Sequence, residues 1–153
     1  MSQLSSEDLI ARGFTFGGEV MGNSELRVRC IHLDGSGYIR TESPSANLLA
    51  WQNAHYHKGI RETYIVQQGR MAFASGTSGL MTVRLLSAGD VITAIPGQQH
   101  NVYLFEGTVI HTVKDGISVG NPEKGGADWY PATEDFDRLT KSLSEEDIMD
   151  GQK

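Results

Sequence analysis

Hydrophobic and polar residues alternate with a period of two from about residue 26 to about residue 115. This period places successive side chains on opposite faces of an extended chain and predicts β-strands. Glycine-containing turns separate the segments at intervals of about 8–12 residues, a spacing typical of a sandwich, jelly roll or barrel. No helical pattern lies between them, so a parallel sheet is not expected. The predicted strands are 27–33, 46–54, 62–67, 70–75, 80–86, 91–95, 100–105 and 108–114.

The two ends of the chain follow a different pattern. Ser5 and Asp8 have the spacing of a capping box and predict a short N-terminal helix. Phe136, Leu139 and Leu143 fall at positions i, i+3 and i+7 and predict a C-terminal helix from about residue 134. The last residues are mostly acidic, and we expect them to fray. The segment 124–130 carries two aromatic residues and is interpreted as a packing element that covers the mouth of the barrel or a partner barrel, rather than as part of the catalytic site.

Length, charge and cysteine content limit the classes of function. A chain of 153 residues fits one domain, with a barrel core at about 26–118 and a C-terminal extension at about 119–153. The net charge of -6 argues against nucleic acid or an anionic membrane as a partner. Neither a membrane span nor a secretory signal is visible. The single cysteine, Cys30, excludes an internal disulfide, and we expect a cytoplasmic protein.

A pair of histidines indicates metal chemistry. His55 and His57 are separated by one residue, so in a strand both imidazoles project from the same face. The stretch from His57 to Glu62 is long enough for a turn that returns a carboxylate to this pair. A Pro-Gly turn precedes His100. Three neutral imidazoles and one carboxylate suit one divalent transition metal ion, namely Fe, Mn, Ni, Co or Zn, and leave coordination positions open.

These residues carry a resemblance to the cupin superfamily. His55-x-His57-x4-Glu62-x6-Gly69 resembles the first cupin motif, and Gly89-Asp90-x5-Pro96-Gly97-x2-His100 resembles the second. The resemblance covers about residues 45–115. It implies an all-β fold, the cupin double-stranded β-helix or jelly-roll barrel, with His55, His57, Glu62 and His100 as metal ligands.

Two positions depart from the cupin pattern. Leu49 and Leu104 stand where the family has a glycine and often an asparagine. Neither position supplies a ligand, so the departures concern local turn and strand geometry rather than the metal site.

Two residues are candidates for proton transfer beside a metal ion. His111 shares a strand face with Val109 and Val113, and if that face points into the barrel it would be an acid, a base or a partner of a ligand. Tyr64 lies two residues after Glu62 and would face the same interior. The alternative for each is an ordinary core residue with a hydrogen-bond partner.

Three further residues are candidates for substrate binding. Trp51 and Asn53 share the phase of the two histidines and would form the pocket wall. Arg84 lies within a predicted strand, where it would bind a carboxylate or phosphate or project into solvent.

The resemblance leaves three functions open, because one metal pocket serves many reactions in this superfamily. The first is a sugar or sugar-phosphate isomerase or epimerase, since the segment from His55 to Tyr64 is similar to that of small phosphomannose-isomerase-like cupins. The second is an Fe(II)-dependent dioxygenase. The third is a non-catalytic small-molecule-binding cupin. Cupins commonly pair their barrels, so we expect a homodimer.

Overall fold

The computed structural model describes all 153 residues and contains two antiparallel sheets. The six-stranded sheet has the order β1-β2-β3-β10-β5-β8, and the five-stranded sheet has the order β11-β4-β9-β6-β7. The strands are β1 Phe14–Val20, β2 Leu26–His32, β3 Gly37–Glu42, β4 His55–Tyr56, β5 Ile60–Gln68, β6 Arg70–Ser75, β7 Thr82–Ser87, β8 Val91–Ala94, β9 His100–Leu104, β10 Val109–Gly116 and β11 Tyr130–Pro131.

Three short α-helices lie at the ends of the chain. They are α1 Ser6–Ala11, α2 Glu134–Lys141 and α3 Glu145–Asp150. The predicted capping box at Ser5 and Asp8 is confirmed at the start of α1, and the predicted helix from residue 134 is confirmed as α2. None of the helices is long and apolar enough to cross a membrane.

The main core lies between the two sheets. On β5, the side chains of Ile60, Glu62, Tyr64 and Val66 are buried, whereas the residues between them are exposed or partly exposed. This alternation is the period of two expected for a strand with one face towards the core. Nine residues from both sheets form the cluster: Tyr64, Val66, Met71, Phe73, Leu86, Ala94, Val102, Leu104 and Ile110.

A second core covers the outer face of the five-stranded sheet. Phe136 of α2 and Ile148 of α3 are fully buried against Ala72 and Ala74 of β6. The indole nitrogen of Trp51 donates a hydrogen bond to the backbone carbonyl of Leu143 at 3.0 Å. The C-terminal extension is therefore packed onto the barrel. Residues 145–150, expected to fray, form α3 because Ile148 is buried.

The structure departs from the predicted strands in several places. Four strands lie outside the predicted ranges, namely β1, β3, β4 and β11. Gly17, Gly18 and Gly37 interrupt the hydrophobic pattern of β1 and β3, and β4 and β11 are only two residues long. The predicted strand 46–54 begins instead as a 3-10 turn, Ala46–Leu48, followed by irregular chain. The predicted all-β class and jelly-roll architecture are confirmed.

Candidate metal centre

Four side chains from three strands and one connecting turn meet inside one end of the barrel. His55 of β4 lies directly opposite His100 of β9 in the sheet register, and His57 follows β4. Glu62 projects from β5 of the other sheet. All four residues are buried, and one potential ligand atom from each lies within 4.8 Å of the others. The structure thus brings together the set that the two sequence motifs predict.

Backbone carbonyls determine the orientation of all three imidazoles. The Nδ1 atoms of His55 and His100 donate to the carbonyls of Asn53 and Gln98, each at 2.9 Å, and Nδ1 of His57 donates to the carbonyl of Asp128. A carbonyl only accepts, so each Nδ1 carries a proton, and in the neutral imidazole Nε2 then presents a lone pair. Metal-binding histidines typically have this arrangement, in which the ring nitrogen that does not bind the metal donates a hydrogen bond to a nearby acceptor.

The three Nε2 atoms converge on one carboxylate oxygen. Oε1 of Glu62 lies 3.4 Å from Nε2 of His55 and 3.9 Å from Nε2 of His100, and it also contacts Nε2 of His57. The Nε2 atoms of His57 and His100 are buried without a hydrogen-bond partner. Buried polar atoms are nearly always satisfied, so orphaned lone pairs aimed at one point fit a bound cation.

The environment favours the protonation states that a metal ion needs. Burial lowers the pKa of His57 and lowers the pKa of His100 to about 3, so both imidazoles are neutral near pH 7. Burial alone would raise the pKa of Glu62, but the facing imidazoles of His55 and His57 and the charge of Lys114 outweigh it and hold that pKa well below its usual value. A neutral nitrogen set with one ionised carboxylate suits a divalent transition metal.

Tyr64 holds the other oxygen of the same carboxylate. Its hydroxyl donates to Oε2 of Glu62 at 2.9 Å. Burial and the negative charge of Glu62 raise the pKa of Tyr64 well above its usual value, so the phenol stays protonated. Tyr64 therefore leaves Oε1 free to face the histidines.

The C-terminal extension completes the site through Asp128. Its carboxylate accepts hydrogen bonds from the backbone N–H groups of Lys58, Gly59 and Ile60 at 2.8–3.1 Å, and from Val119 at 3.0 Å. Burial on its own would raise the pKa of Asp128, but these four donors lower it. The loop between His57 and Glu62 is thereby fixed. Sequence reasoning missed Asp128, whose only signal is an acidic residue within a Gly-rich segment.

A pocket opens beside the cluster. Its inner part, of about 170 Å³, is lined by His55, His57, Glu62 and Tyr64 together with residues of β2, β3 and β10. An outer part of about 520 Å³ shares four lining residues with it: Arg27, Gln52, His55 and Trp129. The ring of Trp129 stacks on His55 with centroids 5.3 Å apart. A small molecule therefore has a path from solvent to the cluster.

Comparison with solved structures identifies the fold. A Klebsiella pneumoniae protein with a double-stranded beta-helix domain is 18% identical, with a TM-score of 0.55 over 88% of this chain and 100% of that one. The Drosophila melanogaster CENP-C cupin domain is 15% identical, with a TM-score of 0.52 over 74% of this chain and 82% of that one. This chain has the cupin fold. No protein-family model and no curated protein matches the sequence.

A third similar structure contains a bound small molecule. Hydroxypropylphosphonic acid epoxidase from S. wedmorenis, in complex with fosfomycin, is 13% identical, with a TM-score of 0.50 over 75% of this chain and 59% of that one. At these identities the likeness concerns the fold alone.

The cupin barrel does not bring every candidate residue to the pocket. Tyr64 lies in the inner part, and Trp51 and Asn53 line the outer part. Trp51 also packs 5.6 Å from the Tyr103 ring in the second core. Arg84 is exposed on β7, at an edge of the five-stranded sheet, and lies outside the pocket.

His111 faces away from the pocket, contrary to the inward orientation considered above. Its Nδ1 accepts from the Tyr38 hydroxyl at 2.6 Å, and its Nε2 contacts Gln67 on the outer face of the six-stranded sheet. The pairing of β10 with β5 shifts between Val109 and Ile110. The burial of Val109 therefore does not predict the orientation of His111 two residues later.

Three cations that sequence reasoning did not select face the inner pocket. Arg27 and Arg29 come from β2, and Lys114 comes from β10. The signal was present in the sequence, because Arg27 and Arg29 are two residues apart in a strand and share one face.

Proposed function

We propose that the protein is a divalent-metal-dependent enzyme acting on a small molecule, and that it is a sugar or sugar-phosphate isomerase or epimerase. One observation carries the proposal: three imidazole Nε2 lone pairs and the Glu62 carboxylate converge in a buried cluster that borders an open pocket. Such a cluster would hold one ion with coordination positions free for a substrate.

The chain's own residues have distinct roles in this proposal. A bound divalent ion supplies Lewis-acid polarisation of a substrate oxygen. His55, His57, His100 and Glu62 would hold it, and the three backbone carbonyls keep the imidazoles in the required tautomer. Tyr64 holds a proton at its phenolic oxygen beside the pocket, where it orients Glu62 and would donate to a substrate by exchanging this hydrogen bond for one to the substrate.

An Fe(II)-dependent dioxygenase is the second candidate, and one observation favours it. The carboxylate and imidazole groups that line the inner pocket all belong to the cluster, since His111 lies outside. Ligands are not free to accept a proton, and Tyr64 is held protonated, so the pocket offers no free carboxylate or imidazole as a general base. Chemistry that needs no side-chain base fits this lining.

The two candidates differ in what they consume. The protein as purified is analysed for metal content and then incubated in D2O with sugars and sugar phosphates. An isomerase or epimerase acting by proton transfer incorporates deuterium at carbon without oxygen uptake, which NMR and an oxygen electrode detect. Oxygen consumption without deuterium incorporation supports the dioxygenase. A metal-free protein inert in both assays contradicts the enzyme proposal and favours the non-catalytic binding cupin.

The homodimer remains part of the proposal. Size-exclusion chromatography with light scattering measures the mass in solution, and a single species at the 16.7 kDa chain mass contradicts it.

A further inference from the structure

The inner pocket has a cationic wall formed by Arg27, Arg29 and Lys114. The sheet register defines its layout, because Lys114 pairs with Glu62, and Arg29 lies in the same cross-strand row as Tyr64. Strands β3 and β10 separate β2, which carries the two arginines, from β5, which carries Glu62. The backbones of β2 and β5 are therefore three strand spacings apart, about 14 Å. The cationic wall therefore extends from the cluster of candidate metal ligands, across β10 and β3, to β2.

Two of these cations have partners that hold them in place. One terminal nitrogen of Arg27 donates to Oε1 of buried Glu25 at 2.6 Å, and Gln52 donates to both Glu25 oxygens at 3.0 Å. Arg29 contacts Glu19, whose side chain is 55% exposed, and lies 3.4 Å from the sulfur of Met21. Both guanidinium groups are thus anchored before any ligand arrives.

Two donors on the wall lack acceptors. The Nε atom of Arg27 is buried and has no hydrogen-bond partner. Lys114 is half-buried, and its ammonium group makes no hydrogen bond or ion pair. Glu62 is the only carboxylate lining the inner pocket, and it belongs to the cluster. Three cations and one carboxylate thus line the inner pocket, and two of the cations carry donors that an anion would satisfy.

The chemistry of the wall selects a ligand class. A guanidinium group and an ammonium group bind phosphate and carboxylate oxygens through charge-assisted hydrogen bonds. A neutral ligand without an acceptor would leave the Lys114 ammonium group without a hydrogen-bond partner, and a cation would be repelled. The inner volume of about 170 Å³ limits the ligand to a small molecule.

We propose that the substrate carries an anionic group, a phosphate or a carboxylate, which Lys114, Arg27 and Arg29 bind over β3 while the reacting part of the molecule lies at the cluster. This inference rests on the proposed function, because it names the substrate class of the same pocket. The subsite itself belongs to the protein chain, so it is testable without a metal ion.

The test measures anion binding by isothermal titration calorimetry on full-length protein freed of metal with a chelator. Inorganic phosphate and acetate are the two probes, and the tighter of them assigns the group. Lys114→Met and Arg29→Gln are the test variants, because neither change leaves a buried carboxylate without its ion pair. A change at Arg27 would remove the ion pair of buried Glu25. Arg84→Gln, an exposed arginine outside the pocket, is the matched control.

We expect the dissociation constant of the tighter probe to rise about tenfold or more in Lys114→Met and in Arg29→Gln, the loss typical of a charged hydrogen bond. It should stay at the wild-type value in Arg84→Gln. Equal dissociation constants in all variants, or no binding of either anion by wild-type protein, would overturn the subsite.

Metal analysis of the wild-type protein separates the two proposals. Full metal content without anion binding contradicts only the subsite. Anion binding with the expected variant pattern, in a protein that takes up no metal, supports the subsite and contradicts the metal-dependent function.

Discussion

His57 and Asp128 lie 71 residues apart in the chain, and Nδ1 of His57 donates a hydrogen bond to the backbone carbonyl of Asp128. The carboxylate of Asp128 accepts from the backbone of the loop that follows His57. One residue of the C-terminal extension therefore orients a candidate ligand and fixes the turn that leads to Glu62.

Replacement of Asp128 should destabilise the protein. In Asp128→Ala four backbone N–H groups lose their acceptor, and a buried donor left unsatisfied costs about 1–3 kcal/mol. We expect a free energy of unfolding lower by at least about 2 kcal/mol in urea denaturation. Asp115→Ala is the control, because it breaks only an exposed ion pair with Arg61 and should cost less than about 1 kcal/mol. Equal losses would show that Asp128 does not fix the loop.

The sequence predicts the candidate metal ligands better than it predicts the residues that hold those ligands in place. His55, His57, Glu62 and His100 are recognisable because their side-chain chemistry and spacing are themselves the signal. Asp128 acts through a backbone carbonyl and four backbone N–H contacts, which leave no residue pattern near His57. Its role becomes visible only when the extension folds back onto the barrel.

Strand phase predicts Tyr64 correctly and His111 incorrectly for one physical reason. Between Glu62 and Tyr64 the alternation is regular, so two residues on one strand share a face. At Val109 the pairing with β5 shifts register, and Val109 and Ile110 are both buried. An irregularity of one residue reverses the predicted face of everything beyond it.

Removal of one imidazole should abolish stoichiometric metal binding. His57→Ala removes one of the four candidate ligands and leaves the other three with an empty space in place of the imidazole. We expect elemental analysis to find about one divalent metal ion per wild-type chain and much less in the variant. His32→Ala is the matched control, because His32 lies outside the cluster. Full metal content in His57→Ala would contradict the assignment.

Acid should destabilise the metal-free protein through the buried histidines. The folded-state pKa of His100 is about 3 and that of His57 is also lowered, whereas an unfolded histidine titrates near about 6.5. The unfolded chain therefore binds more protons below pH 6.5, and each such histidine lowers the free energy of unfolding by up to about 1.4 kcal/mol per pH unit.

We expect the melting temperature of the chelator-treated protein to fall as the pH decreases from about 6.5 towards about 3. His100→Gln should weaken this dependence, whereas His32→Gln should keep it. A melting temperature independent of pH over this range would contradict the neutral, buried state of these imidazoles.

Substitution of Tyr64 should affect metal binding and turnover while the barrel stays intact. Tyr64→Phe keeps the ring that packs 5.9 Å from Phe73 but removes the hydroxyl that donates to Glu62. Groups that hydrogen-bond to a metal-ligating side chain and orient it typically contribute about 10–100-fold to metal affinity or activity. A positioned acid contributes about 10²–10⁴-fold to rate. We therefore expect weaker metal affinity and, at saturating metal, a kcat lower by about 10²-fold or more if the phenol also donates to substrate.

His111→Phe is the matched control, because His111 is the other proton-transfer candidate and lies on the outer face of the same sheet. Once a substrate is known, this variant should keep wild-type kcat and metal content. If Tyr64→Phe loses metal affinity but keeps full kcat at saturating metal, Tyr64 only orients Glu62. That result would favour the dioxygenase, whose chemistry needs no side-chain acid. A loss of turnover in His111→Phe with Tyr64→Phe unaffected would instead require His111 to reach the pocket, and it would contradict the placement of His111.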